Sequence, residues 1–284
     1  MSKQNKLVNK VKQLLKKIGA PRFLHHFGPK MYELWHHVFG LFVKSYCQLS
    51  YRDTTYLLRS LGFTVATKST LQRYAAKLGL PFWQSVLRLT IGRISSIGAI
   101  DGTGMERTNP SHHYTKRIDG YRHKKGFHLS VLSSMNKVIS LRLRSRQAND
   151  IRDVKYLWSK ASKRPKTMLM DKGYDAEWLH VYFKQRGILS IAPVRKGARR
   201  GFHRKKLRDN FPQLLYNKRS RAESLFHALK QKYGSAIRSK LMATARTEAY
   251  IRAILHNIKM LLNQVLGQSR LSRTKASEFS TIPS

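Results

Sequence analysis

Over roughly the first 92 residues the apolar positions recur at helical spacing; from about residue 95 they gather into short runs separated by turn residues. Leu7, Val11, Leu14, Leu15 and Ile18 mark a first helix, stopped by Gly19-Ala20-Pro21. A second, apolar-rich helix runs from about Met31 to Cys47. Ser50 to Asp53 has the form of a capping box, with Ser50 as N-cap and Asp53 reaching back from the third helical position. The helix it opens ends at Leu61-Gly62. After a short turn, Thr67 or Ser69 caps a helix that carries Leu71, Tyr74, Ala75 and Leu78 and closes at Gly79. Two helices with such a turn between them predict a helix-turn-helix. Lys68, Thr70, Gln72, Arg73 and Lys77 lie off the apolar stripe of the second helix, on the face that such a motif turns to DNA. An ordinary helical hairpin with a solvated basic face has the same pattern.

The second part alternates strands and helices. Ser96 to Thr103 reads as a strand ending in Asp101-Gly102-Thr103. Phe127 to Ser133 and Val138 to Leu143 form a hairpin around Met135-Asn136-Lys137. Asp150 to Ala161 is helical, and Thr167 to Met170 is a short strand running directly into Asp171. A helix from about Ala176 to Gln185 and a strand from Leu189 to Val194 follow. Residues 196–210 read as a basic, glycine-containing loop, and two helices close the chain, about Lys218 to Lys232 and Thr244 to Val265. The expectation is an α/β fold with a mixed sheet flanked by helices over 93–266, an all-α part over 1–92, and a disordered polar tail over 267–284.

Charge narrows the function. Fifty-six Lys and Arg face 14 Asp and Glu, a formal net charge of +42. Self-repulsion on that scale opposes folding unless a polyanion shares the field. No apolar run approaches the ~18 residues a membrane span needs, and no signal peptide is recognisable. Cys47, the single cysteine, can form neither an internal disulfide nor a cysteine-based zinc site. The expected setting is the cytoplasm, in contact with nucleic acid.

With so few acids, each can be weighed. Asp53, Asp150 and Asp175 stand near helix starts, where a carboxylate suits the macrodipole. Glu106 reads as a surface residue and Glu278 lies in the tail. Asp101 and Asp171 differ: each follows an apolar strand and precedes a turn containing glycine, the place where sites gather in open α/β sheets. A carboxylate there is costly to bury without a positive neighbour, and a metal ion is the natural one. On the penultimate helix, Tyr216, Arg219, Glu223 and Lys230 fall at about 0°, 300°, 340° and 320°, within one 60° arc. That stripe adjoins the apolar one of Ala222, Phe226 and Leu229; by itself it also fits a surface ladder, since Arg219 and Glu223 are spaced i,i+4. The histidine pairs 25–26, 36–37 and 112–113 lack the spacing of a zinc site, whereas His227, one turn after Glu223, could approach a metal or phosphate.

Together these residues resemble the DDE transposases of bacterial and archaeal insertion sequences, in the subgroup marked by a Y-x2-R-x3-E-x6-K signature. Here the signature is Tyr216, Arg219, Glu223 and Lys230. Asp101-Gly102-Thr103 matches the first motif, Asp171-Lys172-Gly173-Tyr174-Asp175 the second, and Ile191 to Lys196 a following strand with proline and basic residues. The resemblance spans about residues 95 to 265, and the 52 residues from Asp171 to Glu223 leave no room for the β-rich insertion of some relatives.

The resemblance implies a ribonuclease-H-like fold whose Asp101, Asp171 and Glu223 hold two divalent ions, Mg²⁺ or Mn²⁺. Water would free a 3′-hydroxyl at a transposon end, and that hydroxyl would attack target DNA. Arg219 and Lys230 would grip phosphates beside the scissile bond while Tyr216 positions DNA. The basic stretch that includes Arg195, Lys196, Arg199 and Arg200 is expected to contact DNA. Two ends joined in one synapse imply a homodimer or higher oligomer, in the nucleoid of a prokaryotic cell. The alternatives are a nuclease or domesticated derivative of the same fold, and a non-catalytic packaging protein.

Overall fold

The computed structural model describes residues 3–24, 27, 30–107, 126–145 and 149–279. Five helices come first: α1 (Lys3–Lys17), α2 (Leu34–Tyr46), α3 (Tyr51–Ser60), α4 (Lys68–Lys77) and α5 (Leu80–Thr90). Ser50 caps α3 as expected, accepting from the Asp53 amide at 3.1 Å. The Asp53 carboxylate takes the Ser50 hydroxyl, at 2.7 Å, in place of the amide that a full capping box would use. Thr67 caps α4, and Gly62 turns the chain between the two helices at a φ of +76°, where a side chain would be strained.

The sheet follows. Its strands are β1 (Ile97–Arg107), β2 (Phe127–Ser134), β3 (Lys137–Arg144), β4 (Thr167–Met170) and β5 (Leu189–Ile191), in the spatial order β3-β2-β1-β4-β5. β1, β2 and β3 pair antiparallel, while β1, β4 and β5 run parallel, so the sheet is mixed. The β2–β3 hairpin turns on Met135 and Asn136, both at positive φ, the geometry that a two-residue loop needs to match strand twist. A further short strand, β6 (Ala236–Ile237), pairs with β1 at Glu106 and Arg107. β1 is longer than expected because β2 partners it as far as Met105; Asp101 therefore lies within the strand rather than at its end. On the other side of β1, pairing with β4 stops at Ile100 and pairing with β6 begins at Glu106. The stretch Asp101–Met105 between them is flanked by no strand on that side among the described residues.

Helices cover both faces. A 3-10 turn at Asp150–Asp153 leads into α6 (Val154–Lys160), and α7 (Glu177–Lys184) lies between β4 and β5. The basic segment expected as a loop contains α8 (Phe202–Asp209). Its first amides are satisfied from outside the helix, His203 and Arg204 each donating to the Glu177 carboxylate, a tertiary cap that local sequence cannot reveal. α9 (Gln213–Tyr216), a 3-10 turn at Asn217–Arg219, and α10 (Ser220–Tyr233) form one nearly continuous rod. α10 buries Ala222, Leu225, Phe226, Leu229 and Tyr233, and each of the large side chains contributes roughly 1.5–3 kcal/mol by leaving water.

The last helix, α11 (Met242–Phe279), continues well past the residue expected to end it. Gly267 alone costs only about 1 kcal/mol in a helix and no proline stops the chain before Pro283, so the supposed tail is helical up to Phe279. Asn257 of α11 is buried and brackets β3, its side chain accepting from the Val138 amide and donating to the Val138 carbonyl, both at 2.8 Å. The expected boundary near residue 92 separates element types but not cores. Val38, Leu58, Leu71 and Trp83 share one apolar cluster with Leu129, Val131, Leu141, Leu225 and Tyr250. No helix among the described residues is long and apolar enough to cross a membrane.

Candidate active site

Asp101 and Asp171 meet because of register. β1 and β4 run parallel with Ile100 opposite Met170, so the next residue on each strand is an aspartate. Neighbouring strands lie about 4.8 Å apart, and the two carboxylates share one electrostatic neighbourhood. Burial, the largest influence, raises the Asp101 pKa. The Gly102 amide, which donates to Asp101 Oδ1 at 2.9 Å, and Arg219 oppose that shift, while Asp171 and Asp150 add to it. Asp171 itself is exposed, at the mouth of the site.

The α10 rod closes over this pair. Arg219 donates to Asp101 Oδ2 at 3.3 Å and to Glu223 Oε1 at 2.5 Å, so one guanidinium holds carboxylates from a strand and a helix. Asp101 and Arg219 side chains are mostly covered (19% and 16% exposed), whereas Glu223 is 60% exposed and can turn away. Tyr216 lies beside Arg219, with the guanidinium 5.9 Å from its ring centre. Lys230 donates to the Thr103 hydroxyl at 2.7 Å, two residues along β1 from Asp101. Arg219 and Lys230 therefore reach the Asp101–Thr103 stretch directly, and Glu223 and Tyr216 stand beside Arg219, although a 3-10 turn interrupts the helix that carries all four.

Asp171, Asp101 and Glu223 are oxygen donors of the type that a hard divalent cation takes. Among the described residues, no three His, Cys, Asp or Glu side chains stand close enough together to hold an ion as arranged. Arg219 bonds both Asp101 and Glu223 and so stands where an ion shared by those two would bind. The donor chemistry fits; the grouping requires Arg219 to give way.

Other expected residues are more scattered. Lys68, Gln72, Arg73 and Lys77 are exposed on α4 and Thr70 is half-buried, its hydroxyl taken up by Thr67 and Arg73. Lys196, Arg199 and Arg200 are exposed. Arg195 instead braces the second motif, donating to the carbonyls of Lys172 at 3.2 Å and Gly173 at 2.8 Å. Asp175 is no cap: its buried carboxylate is held by Arg204 through two 2.8 Å bonds and by the Arg195 amide. His227 is exposed, and the histidine pairs 25–26 and 112–113 lie outside the described residues. Asp150, read from sequence as a helix-start acid, is instead tied to the sheet. It pairs with His128 of β2, and its carboxylate packs against Gly102, within 2.7–2.9 Å of where a Cβ would sit. Nothing local in the sequence separates it from an ordinary cap.

The mixed sheet flanked by helices defines an α/β protein, with Asp101 on one strand, Asp171 just past the end of the next, and Arg219, Glu223 and Lys230 packed over them. The family profile described as "Transposase DDE domain" matches residues 92–258, more than half of the chain, and the chain belongs to that family. It is a DDE-type transposase domain protein. Among solved structures, a cryo-EM structure of the piggyBac transposase synaptic complex with hairpin DNA superposes with a TM-score of 0.50 at 11% identity, covering 93% of this chain and 73% of that one. At that identity the likeness speaks for the fold alone. No curated protein sequence matches the chain.

Proposed function

We propose that this protein binds the two ends of an insertion-sequence element, cleaves them, and joins the freed 3′-hydroxyls to target DNA. The reading takes 93–266 as a ribonuclease-H-like catalytic domain of the Y-x2-R-x3-E-x6-K subgroup, with α3–α4 as a helix-turn-helix. What carries it is the register that sets Asp101 beside Asp171 while Arg219 ties Asp101 to Glu223. Asp101, Asp171 and Glu223 would hold two divalent ions, Mg²⁺ or Mn²⁺. Ions in such a site activate the attacking oxygen and stabilise the leaving one.

The chain's own side chains supply the rest. Arg219, released from Asp101, is positioned to bind a phosphate beside the scissile bond, and its planar fork suits two phosphate oxygens. Lys230 offers a point charge two residues further along β1. Tyr216 would fix the DNA strand against Arg219. The +42 surplus gives sequence-independent grip on phosphates, and α4 with Lys68, Gln72, Arg73 and Lys77 gives base readout. Two protomers, one per end, would form the synapse.

The test is incubation of the purified protein with Mg²⁺ and a DNA fragment carrying the inverted repeats that flank its gene. Joined 3′ ends in a target plasmid are expected. Cutting without joining would mean a hydrolytic nuclease, and binding without cutting in either Mg²⁺ or Mn²⁺ would mean a packaging protein.

A further inference from the structure

We infer that Arg195 is a positioning residue that sets the turn presenting Asp171, with buried Asp175 as its mount. The inference rests on the reading of Asp171 as a carboxylate of the active site. It moves Arg195 from the expected DNA contacts to the support of that site.

β4 ends at Met170, so Asp171 is placed by the 3-10 turn that follows it, Lys172–Tyr174. Within the turn, the Tyr174 amide donates to the Asp171 carbonyl at 2.9 Å and the Asp175 amide to the Lys172 carbonyl at 3.2 Å. Bonds of this i→i+3 kind have poorer geometry than those of an α-helix, so outside support matters. From below, the buried Tyr174 side chain packs into the core. From outside, Arg195 donates through Nε to the Lys172 carbonyl at 3.2 Å and through Nη2 to the Gly173 carbonyl at 2.8 Å. The fork that suits two phosphate oxygens is thus taken by two successive carbonyls of the turn.

The main chain of the same residue is fixed as well. The Arg195 amide donates to Asp175 Oδ2 at 2.8 Å, and Arg204 donates to Oδ1 and Oδ2 of the same carboxylate, each at 2.8 Å. Asp175 closes the turn that Asp171 opens, so one wholly buried carboxylate pins both ends of the 195–204 segment to that turn. Between those ends, Lys196, Arg199 and Arg200 are exposed. The segment is therefore fastened where it touches the Asp171 turn and open to phosphates in its middle, and Arg195 belongs to the fastening. Lysine at 195 would keep the charge but, as a point donor, could not span two carbonyls.

The experiment compares Arg195→Lys and Arg195→Ala with wild type in the full chain. It reads three quantities: the salt slope of binding to end DNA, the single-turnover cleavage rate at saturating DNA, and amide hydrogen exchange across residues 171–175 without DNA. Urea melting serves as the folding control. A displacement of about 1 Å at a reacting group costs about a hundredfold, so both variants are expected to slow saturated cleavage by at least about tenfold. Exchange at Tyr174 and Asp175 should quicken in both, and the salt slope should stay as in wild type. A phosphate contact at Arg195 gives a different pattern: Arg195→Ala lowers the slope by about one unit, Arg195→Lys restores slope and cleavage together, and exchange is unchanged. That result overturns the inference. So does a purely structural role, in which both variants melt early while the folded fraction cleaves at the wild-type rate. Asp171→Asn in the same assay separates the two readings. If it cleaves like wild type, the assignment of Asp171 falls and this inference with it. If it is inactive while Arg195→Lys cleaves normally, only the present inference fails.

Discussion

Arg219 bonds Asp101 on β1 and Glu223 on α10 with the same guanidinium, at 3.3 and 2.5 Å. Under the proposed reading, the positive charge that holds the two carboxylates is also the one that must leave before both can bind an ion. Asp101→Asn, Asp171→Asn and Glu223→Gln are each expected to lower Mg²⁺-dependent cleavage by more than about a hundredfold, the usual scale for losing a charged group that acts only in the transition state. DNA affinity in a gel-shift titration should stay within a few-fold of wild type. A variant that cleaves at near-normal rate would remove its residue from the assignment.

The acidity of Asp101 has a consequence for stability. Burial raises its folded pKa above the ordinary 3.8, so folding favours its protonated form. That contribution is present at acid pH and is lost as pH rises through the folded pKa. At neutral pH the ionised group therefore opposes folding, and Asp101→Asn should melt higher than wild type in metal-free buffer. The gain should shrink as pH falls toward 4. A variant that melts lower at pH 7 would mean that the Arg219 bond outweighs burial.

Salt reports how the basic surplus is used. Each phosphate neutralised contributes about −0.9 to the slope of log K against log salt, and at least about six contacts imply roughly a thousandfold loss between 50 and 200 mM. Lys230→Ala should reduce that slope by only about one unit, yet slow joining far more than binding. Parallel losses of binding and joining would reduce Lys230 to a surface contact.

Readout by α4 is best tested with point changes, because residues 1–92 share their core with α10, α11 and the sheet. Gln72→Ala with Arg73→Ala should abolish preference for end DNA over random DNA while leaving weak, salt-sensitive binding. Retained discrimination in a competition assay would place base readout elsewhere.

Asp175 and Arg204 form a pair whose carboxylate is wholly buried. Arg204→Ala strands that charge and should cost about 3 kcal/mol or more in a urea titration. A cost below about 1 kcal/mol would mean that the Arg195 amide suffices.

Much of this could be read from residue order. Ser50, Thr67, the Met135-Asn136 turn and the strand into Asp171 follow local rules, and the structure has each of them. The stripe of Tyr216, Arg219, Glu223 and Lys230 was likewise legible, since helical spacing survives a short 3-10 turn. What failed depended on distant partners. β2 extends β1 beyond Asp101; Glu177 caps α8 from 26 residues away; Arg204 claims Asp175; His128 and Gly102 give Asp150 its position. None of these leaves a periodic trace, because each is a tertiary pairing between residues whose local roles look ordinary.

The shared core also sets a length. Thr247 of α11 donates to the Ala75 carbonyl at 2.8 Å, and Gln48 reaches the Lys232 carbonyl at 2.7 Å, so α4 and α10 are clamped to one body. Under the proposed reading, the helix that recognises DNA and the carboxylates that cut it act as the two jaws of a fixed caliper. The number of base pairs between recognition sequence and cleavage point is then a property of the protein. Inserting half a helical turn, about five base pairs, between them would rotate the scissile phosphate to the far side of the duplex, away from the clamped jaws.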